Sequence, residues 1–168
     1  MKPDCIILLP TRVFGGHERM LVEWLRHAAD QGLEARIYSA RNEPLLRECE
    51  AAGLGRPEVS YPGPASAARD FLASWRLLAR LPRDVPVLLA PGVLQAAPLQ
   101  WLAAFLRGRR IAGYVPMAYS SRRMGLRGGA WRDWLVGRVV RRFDLWITIC
   151  EEQRELLVRQ WRVTAPVL

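Results

Sequence analysis

Short apolar runs alternate along this chain with longer segments in which apolar residues repeat at helical spacing. The first run, Cys5–Leu9, is apolar throughout, as in a strand buried on both faces of a parallel sheet. The segment 17–31 then places Trp24 among the apolar residues of one helical face, and Gly32 ends it. One strand–helix unit recurs about every 20–30 residues, which is the pattern of βαβ crossovers. The sequence therefore predicts an α/β fold: a parallel sheet with helices on both faces.

The same patterns predict six strands and six helices. The strands are 5–9, 34–39, 58–61, 85–90, 110–115 and 145–150, and the helices are 17–31, 43–52, 65–81, 98–107, 131–142 and 151–161. Ligands of parallel sheets bind beyond the carboxyl ends of the strands, which directs attention to the loops 10–16, 39–43, 90–97 and 116–129. The absence of a linker predicts one domain over 1–168. Because a strand begins at 166–168, we expect a fragment or the first domain of a longer enzyme.

Composition excludes several classes of protein. The 168 residues, 51% of them hydrophobic, suffice for a globular core and argue against disorder. Cys5, Cys49 and Cys150 lack zinc or disulfide-framework spacing, and Cys5 and Cys150 are predicted to be small buried residues of a reduced protein. The run Cys5–Leu9 is too short for a signal peptide or a membrane span. These features predict a cytoplasmic protein, with peripheral membrane contact left open.

The net charge of +9 is concentrated in one segment. Residues 107–142 contain ten arginines against the single acidic residue Asp133, and the rest of the chain is neutral. A local basic excess favours an anionic partner such as a membrane surface or a phosphate-bearing ligand. Nucleic acid is not favoured, because no helix-turn-helix, zinc-finger or RRM signature accompanies the charge.

Part of this segment is predicted to be an amphipathic helix rich in arginine and tryptophan, a composition that suits a membrane interface. Trp131 and Val139 fall near one stripe of this helix. The candidates for contact with an anionic face are Arg122, Arg123, Arg127, Trp131, Arg132, Trp134, Arg138, Arg141 and Arg142. The alternative is a solvated basic helix that packs on the sheet through Leu135, Val136, Val139 and Val140.

The loop after the first strand is the best candidate ligand site. Gly15 and Gly16 allow close approach of the backbone, and the following helix presents N–H groups suited to phosphate. The pattern is neither an NAD fingerprint nor a P-loop, and a tight strand-to-helix turn would also explain it. Of the two histidines, His17 could touch a ligand, His27 is predicted to be structural, and no metal site is predicted.

Two motifs resemble glycosyltransferase family 4, whose members have the GT-B fold. Gly15-Gly16-His17-Glu18-Arg19, with the helix to Gly32 and the strand after it, is similar to the start of the family's N-terminal domain. The segment from Asp144 to Glu155 is similar to the last strand and helix of that domain. The resemblance implies a Rossmann-like acceptor-side domain, with a donor-binding C-terminal domain and its Glu-x7-Glu motif absent from this chain.

The resemblance also implies the reaction: transfer of a sugar, with retention, from a nucleotide-sugar to a glycan or lipid-linked acceptor in bacterial surface polysaccharide or lipopolysaccharide synthesis. No cofactor beyond this co-substrate is implied. Gly15 and Gly16 would face the donor phosphates, with Arg12 and His17 as further candidates in the same loop. Many members carry a His after the fifth strand. This chain has none there, so Tyr119 and Ser120 become the acceptor candidates and no catalytic residue is assigned.

Two other functions stay open. A standalone α/β module could use the same loops to bind a phosphorylated small molecule. A peripheral membrane adaptor could be built around the basic segment. For the enzyme, the expected membrane contact is with the inner face of the plasma membrane. In the enzyme reading this chain alone is expected to be inactive, because most donor contacts would be missing.

Overall fold

The computed structural model describes residues 2–61, 66–94, 98–108, 110–126 and 129–168, and it contains one six-stranded parallel sheet. The strand order is β3-β2-β1-β4-β5-β6. The strands are β1 (Cys5–Leu9), β2 (Ala35–Ala40), β3 (Glu58–Tyr61), β4 (Val87–Leu89), β5 (Ile111–Tyr114) and β6 (Leu145–Ile147). Val167 adds a further parallel bridge to Trp146 at the β6 edge.

Six helices connect these strands. They are α1 (Gly16–Asp30), α2 (Glu43–Ala51), α3 (Ala67–Arg80), α4 (Pro98–Leu106), α5 (Gly129–Val140) and α6 (Glu151–Glu155), the last continued by a π-helical segment, Leu156–Gln160. A π-helix has hydrogen bonds between residues five apart, and here the Trp161 N–H donates to the Leu156 carbonyl at 3.2 Å. The predicted α/β class, with helices on both faces, is confirmed.

The crossover connections divide the helices between the two faces of the sheet. Parallel crossovers are right-handed, so the reversal of direction after β3 moves the later helices to the opposite face. One core contains Leu21 and Leu25 of α1 and Leu45 of α2 against β1, β2 and β4. The other contains residues of α3, α4 and α5 with Trp146 and Trp161. Strands buried between two helical layers explain why Cys5–Leu9 is apolar throughout.

Several helix boundaries follow from single residues. Gly32 and Gly53 adopt positive φ angles of 82° and 74° just beyond α1 and α2, a conformation that favours glycine. The Asn42 side chain accepts a hydrogen bond from the Leu45 N–H at the start of α2. Pro98 opens α4, where its missing N–H costs no helical hydrogen bond. These helix ends agree with the predicted ones to within two residues.

Trp146 is the largest fully buried side chain of the sheet, and it depends on Gly113. Gly113 of β5 is paired with Trp146 of β6, and a Cβ on Gly113 would lie 2.3 Å from the indole ring. The ring cannot move aside, because it stacks on Phe143 at 5.0 Å and its Nε1 donates to the Val140 carbonyl at 3.2 Å. A glycine is therefore required at this point of β5.

We predict that Gly113→Ala lowers the free energy of unfolding by about 1–3 kcal/mol, as overpacking of a tight core does. The matched control is Gly137→Ala in α5, where a Cβ meets the Trp161 ring at an ordinary 3.6 Å. Removal of a glycine from a helix interior stabilises by up to about 1 kcal/mol. Urea unfolding of both variants measures the difference, and equal effects would contradict the packing argument.

Four predictions about side-chain burial or strand length were wrong. Cys150 is exposed rather than buried, because β6 ends at Ile147 instead of at residue 150. His27 is exposed, so it has no structural role in the core. Trp24, expected on the buried face of α1, is 49% exposed. The predicted strand 85–90 is shortened to Val87–Leu89. Residue 65 of the predicted helix 65–81, residues 95–97 of the loop 90–97 and residues 127–128 of the loop 116–129 lie outside the described residues.

Candidate functional site

The candidate site lies at the carboxyl edge of the sheet, between β1 and β4. These neighbouring strands are followed by connections that run in opposite directions, to β2 on one side and β5 on the other. Such a switch point leaves a crevice between the loops, and ligands of open α/β sheets bind there. The loop 10–15 after β1 and the segment 90–94 after β4 therefore face each other across the candidate crevice.

Glu18 organises the loop after β1. Its side chain is only 1% exposed, and its Oε2 accepts a hydrogen bond from the Gly15 N–H at 2.8 Å. Glu18 occupies the third position of α1, so this bond is half of a capping box, with Gly15 as the N-cap residue. Burial raises the pKa of Glu18, but contacts with His17, Thr11 and Gly15 outweigh it, so the net pKa lies below the usual value.

His17 lies between the loops after β1 and β4. Its Nε2 is 2.8 Å from Glu18 Oε1, and its side chain is 22% exposed. A Cβ on Gly92 would lie 2.7 Å from the imidazole, so the ring rests directly on the Gly92 backbone. Gly92 also has a φ of 83°, which favours glycine independently. The Tyr114 hydroxyl at the end of β5 donates to the His17 carbonyl at 3.5 Å.

Arg12 is held by a carboxylate on another helix. Its NH2 and NH1 nitrogens lie 2.7 and 3.1 Å from the two oxygens of Asp70 in α3, and Asp70 is 7% exposed. NH1 also donates to the Pro10 carbonyl. This bidentate pair fixes the loop to α3. The guanidinium group of Arg12 is thus already bound to Asp70. Its predicted contact with the donor phosphates stays a prediction.

Tyr119 and Ser120 lie in the loop after β5, where they bind residues near them in space. The Tyr119 hydroxyl donates to Glu152 at 3.1 Å, and the Arg123 guanidinium stacks 4.1 Å from the Tyr119 ring centre. The Ser120 hydroxyl accepts from the Arg123 N–H at 3.2 Å. The structure records no contact of either residue with the loop after β1, and their acceptor role stays a prediction.

Two residues of the C-terminal segment hold the loop after β5 in place by hydrogen bonds. Gln153 accepts from the Ala118 N–H at 2.6 Å, and the Trp161 indole donates to the Ala118 carbonyl at 2.6 Å. Asp133 of α5 accepts from the Ser121 N–H at 2.9 Å. These hydrogen bonds of 2.6–2.9 Å hold Ala118 and Ser121, and they fix the position of Tyr119 between them.

A comparison with family models shows which family the chain belongs to. The family model described as Glycosyltransferase Family 4 matches residues 14–167, almost the whole chain. The chain belongs to glycosyltransferase family 4. Searches of curated proteins and of solved structures returned no significant match.

Membership of family 4 fixes the coarse chemistry. The chain is the N-terminal domain of a family 4 glycosyltransferase, a family of retaining enzymes that use a nucleotide-sugar donor. Within the described ranges, no three His, Cys, Asp or Glu side chains group as a metal site. In the same residues, no helix is long and apolar enough to cross a bilayer.

The outer face of α5 in this family 4 domain is basic and aromatic. Trp131 and Trp134 are 54% and 60% exposed, while Val139 is 3% exposed, so the predicted stripe that joined Trp131 to Val139 is wrong. Val136, Val139 and Val140 are buried and Leu135 is partly buried against the same core, as the alternative reading of this helix expected. The Arg138 guanidinium lies 4.7 Å from the Trp134 ring centre. Arg127 lies outside the described residues.

The basic residues of this face differ in their surroundings. Arg122 and Arg123 are exposed on the loop after β5, and Arg123 also lies 3.7 Å from Glu152. Arg132 stacks over Trp131 at 5.7 Å. Arg141 donates its Nε–H to the Trp161 carbonyl, and its exposed neighbour Arg142 lies beyond the end of α5. The face thus presents positive charge beside exposed indole rings.

Three residues of this site were not predicted from the sequence. Glu18 had a signal, since an acid three positions after the N-cap predicts a capping bond. Gly92 follows Pro91 after a predicted strand. This pair predicts a turn, but nothing in the sequence indicates that the His17 ring packs against it. Asp70 had no usable signal, because 58 positions separate it from Arg12 and only the fold brings them together.

We predict that Glu18→Gln lowers the free energy of unfolding near pH 7 by about 1–3 kcal/mol, because charged hydrogen bonds are lost. A carboxylate with a depressed folded-state pKa stabilises above its unfolded pKa, and this contribution disappears as the pH falls through the folded value. The difference between wild type and variant should therefore shrink below about pH 4. Glu23→Gln, exposed on the same helix, is the control, and a pH-independent difference would contradict the assignment.

Proposed function

We propose that this domain is the acceptor-side half of an enzyme that moves a sugar from a nucleotide-sugar to a glycan or lipid-linked acceptor. The pathway we propose is bacterial cell-surface polysaccharide or lipopolysaccharide synthesis. The observation that carries the proposal is the family 4 match together with a glycine loop at the switch point of the sheet. A second, donor-binding domain would contact the nucleotide base and most of the sugar.

The loop after β1 is proposed to face the donor phosphates. Gly15 and Gly16 are exposed, and a Cβ on Gly16 would meet no atom within 4 Å, so a ligand can approach the backbone there. The first N–H groups of α1, including that of His17, have no intrahelical acceptor and carry the positive end of the helix dipole. Arg12 supports this loop through Asp70, and Tyr119 and Ser120 are proposed to face the acceptor.

The first test of this proposal is Gly16→Ala in the complete gene product, assayed by nucleoside diphosphate release from a panel of UDP- and GDP-sugars. The added methyl has open space in the folded protein, so stability should not change. It would, however, hold a phosphate away from the N–H groups. We expect the donor KM to rise about tenfold, since about 1.4 kcal/mol of binding would be lost.

Two controls accompany this assay. Gly137→Ala in α5 introduces the same methyl far from the loop and should leave the donor KM unchanged. The 168-residue chain alone should release no nucleoside diphosphate, because the proposed donor-binding domain is missing. Turnover by residues 1–168 alone, or an unchanged KM in Gly16→Ala, would refute the assignment.

We further propose that the basic face of α5 binds the anionic membrane surface on which a lipid-linked acceptor would be found. Exposed Trp131 and Trp134 suit the headgroup level, and the arginines beside them match anionic lipid. Buried Val136 and Val140 hold α5 to the sheet, so the helix can present this face without leaving the fold. The proposed location is the inner face of the plasma membrane.

The membrane proposal predicts that the double variant Arg132→Gln and Arg138→Gln binds vesicles of phosphatidylglycerol and phosphatidylcholine about 30-fold more weakly. Each arginine near an anionic surface contributes about 1 kcal/mol. The control is Arg26→Gln with Arg47→Gln, the same charge change on α1 and α2, across the sheet. Sedimentation at low and high salt measures binding. Equal losses in both double variants would show a net-charge effect and contradict a specific face.

The vesicle assay also addresses the adaptor alternative. Exposed tryptophans on a basic helix favour membrane contact with or without catalysis. An adaptor would bind vesicles in the same way, but the complete gene product would then release no nucleoside diphosphate from any donor of the panel.

A further inference from the structure

We propose that a groove beside α5 binds a doubly charged phosphate group, either a phosphomonoester or a pyrophosphate. This α5 groove lies between the helix and the segment 160–161, and its lining includes Trp134, Gly137, Arg138, Arg141 and Trp161. The site is separate from the glycine loop proposed for the donor phosphates. It also differs from the membrane contact proposed for α5, because it would recognise one phosphate group rather than a charged surface.

The α5 groove has room for a phosphate and for part of the molecule that carries it. Its volume is about 440 Å³, within the range of about 300–1,000 Å³ that is usual for ligand sites. Gly137 lies at its base, where a Cβ would be 3.6 Å from the Trp161 ring and 3.8 Å from Arg141 NH2. The absence of a side chain at this position keeps the space between Trp161 and Arg141 open.

Arg141 is held with its guanidinium group in this groove. Its Nε–H donates to the Trp161 carbonyl at 2.9 Å, and Trp161 itself is 3% exposed, so the anchor is rigid. A guanidinium group fixed through Nε keeps its two terminal nitrogens for the paired hydrogen bonds that phosphate oxygens accept. Arg141 is therefore oriented for an anion before any ligand binds.

Arg138 supplies a second positive charge. It is exposed three positions before Arg141, and residues three apart lie on the same side of a helix. Its guanidinium group lies 4.7 Å from the Trp134 ring centre, a contact that orients the group without neutralising it. A phosphate in the groove would thus be within reach of two guanidinium groups.

The lack of acidic partners distinguishes these two arginines from others close to them in the fold. Arg154 and Arg159, on the helical segment that follows β6, lie 3.0 and 3.4 Å from Glu151 and Glu155. In the part of the chain that the structure describes, no carboxylate pairs with Arg138 or with Arg141. Their charges are therefore available to a ligand.

The acidic residue of the groove lies away from this pair. Asp133 also lines the groove, but it precedes Arg141 by eight positions, about 12 Å along the helix axis. Its Oδ1 accepts the Ser121 N–H at 2.9 Å. The C-terminus of α5 adds a partial negative charge of about half a unit, which the two arginines outweigh.

Two guanidinium groups favour a ligand with two negative charges. A phosphomonoester carries nearly two charges on three oxygens, whereas a phosphodiester has one charge and fewer free oxygens. The groove would therefore distinguish anions that a diffuse basic surface treats alike. A lipid can carry the phosphate, since exposed Trp134 suits a membrane interface, and a soluble compound is the other source.

The lipid source is tested with vesicles of phosphatidic acid, a monoester, and of phosphatidylglycerol, a diester, at equal surface charge. We expect the complete gene product to bind the monoester vesicles about tenfold more tightly, because additional charged hydrogen bonds form. Arg138→Gln with Arg141→Gln should remove this preference. The control, Arg132→Gln with Arg142→Gln, makes the same charge change outside the groove lining. It should weaken binding to both vesicles and keep the preference.

The soluble source is tested by titration calorimetry with inorganic pyrophosphate in the absence of vesicles. We expect binding that the Arg138→Gln and Arg141→Gln double variant weakens at least about tenfold, while the Arg132→Gln and Arg142→Gln control leaves it unchanged. Gly16→Ala is measured as well, because pyrophosphate could occupy the glycine loop. Pyrophosphate binding that is lost in Gly16→Ala and retained in the groove variant would overturn the assignment.

A folding defect has to be separated from loss of the site, since Arg141→Gln also removes the hydrogen bond to Trp161. Arg138→Gln alone makes this separation, because the contact recorded for Arg138 is with the exposed Trp134 ring. It should lower the monoester preference at least about threefold through loss of one guanidinium group. Its urea unfolding midpoint should equal that of wild type.

The outcomes separate the two sources from each other and from the proposed function. A monoester preference that depends on Arg138 and Arg141 supports a lipid-borne phosphate, and pyrophosphate binding with the same dependence supports a soluble one. Equal binding to both vesicles, together with no pyrophosphate binding that depends on these arginines, overturns the assignment. Nucleoside diphosphate release does not enter these measurements, so the proposed sugar transfer stands or fails independently.

Discussion

The reversal of strand order between β1 and β4 is the constraint from which the site follows. Right-handed crossovers place α1 and α2 on one face of the sheet and α3, α4 and α5 on the other, so the loops after β1 and β4 must diverge. The crevice between them is where backbone from two distant segments meets. The Gly15 N–H donates to Glu18 on the side of the β1 loop, and the imidazole of His17 contacts the backbone of Gly92 in the segment after β4.

Charge is distributed differently in the crevice and on the outer surface of α5. In the crevice, polar side chains have local partners: Arg12 binds Asp70, and His17 contacts Glu18. Buried charges require such partners, because removing one partner leaves an uncompensated charge in a poorly solvated place. On α5 the arginines lie over indole rings, where the π faces supply attraction without neutralising the charge. The charges of Arg132 and Arg138 are therefore available at the surface rather than neutralised within the fold.

Features set by one residue and its neighbours in sequence were predictable. Gly32, Gly53 and Pro98 mark helix boundaries because each changes the local backbone whatever the tertiary context. The apolar run Cys5–Leu9 predicts a strand buried on both faces, since only a parallel sheet covered on both sides accepts it.

Features that depend on tertiary contacts were not predictable in the same way. The pairing of Arg12 with Asp70 depends on the position of α3 relative to the loop after β1. The contact of the His17 ring with Gly92 depends on the segment after β4 lying next to α1. In the site, the glycine loop was visible in the sequence, whereas the partners that fix its geometry were not. Cys150 was predicted to be buried because an apolar run continues past Ile147, yet the strand ends there and the chain turns into α6.

The exposure of Trp24 follows from the topology that creates the site. Helical periodicity assigns Trp24 to the buried face of α1, and its neighbours Leu21 and Leu25 are buried as expected. The crossovers after β4 and β5 lie on the far side of the sheet, so among the described elements no helix packs beside α1 over β5 and β6. Ile147 on that face is consequently only partly buried, and a largely apolar groove of about 150 Å³ lies between α1 and these strands. Periodicity identified the apolar face of α1 correctly. The number of helices on that side of the sheet determines how much of this apolar face is covered.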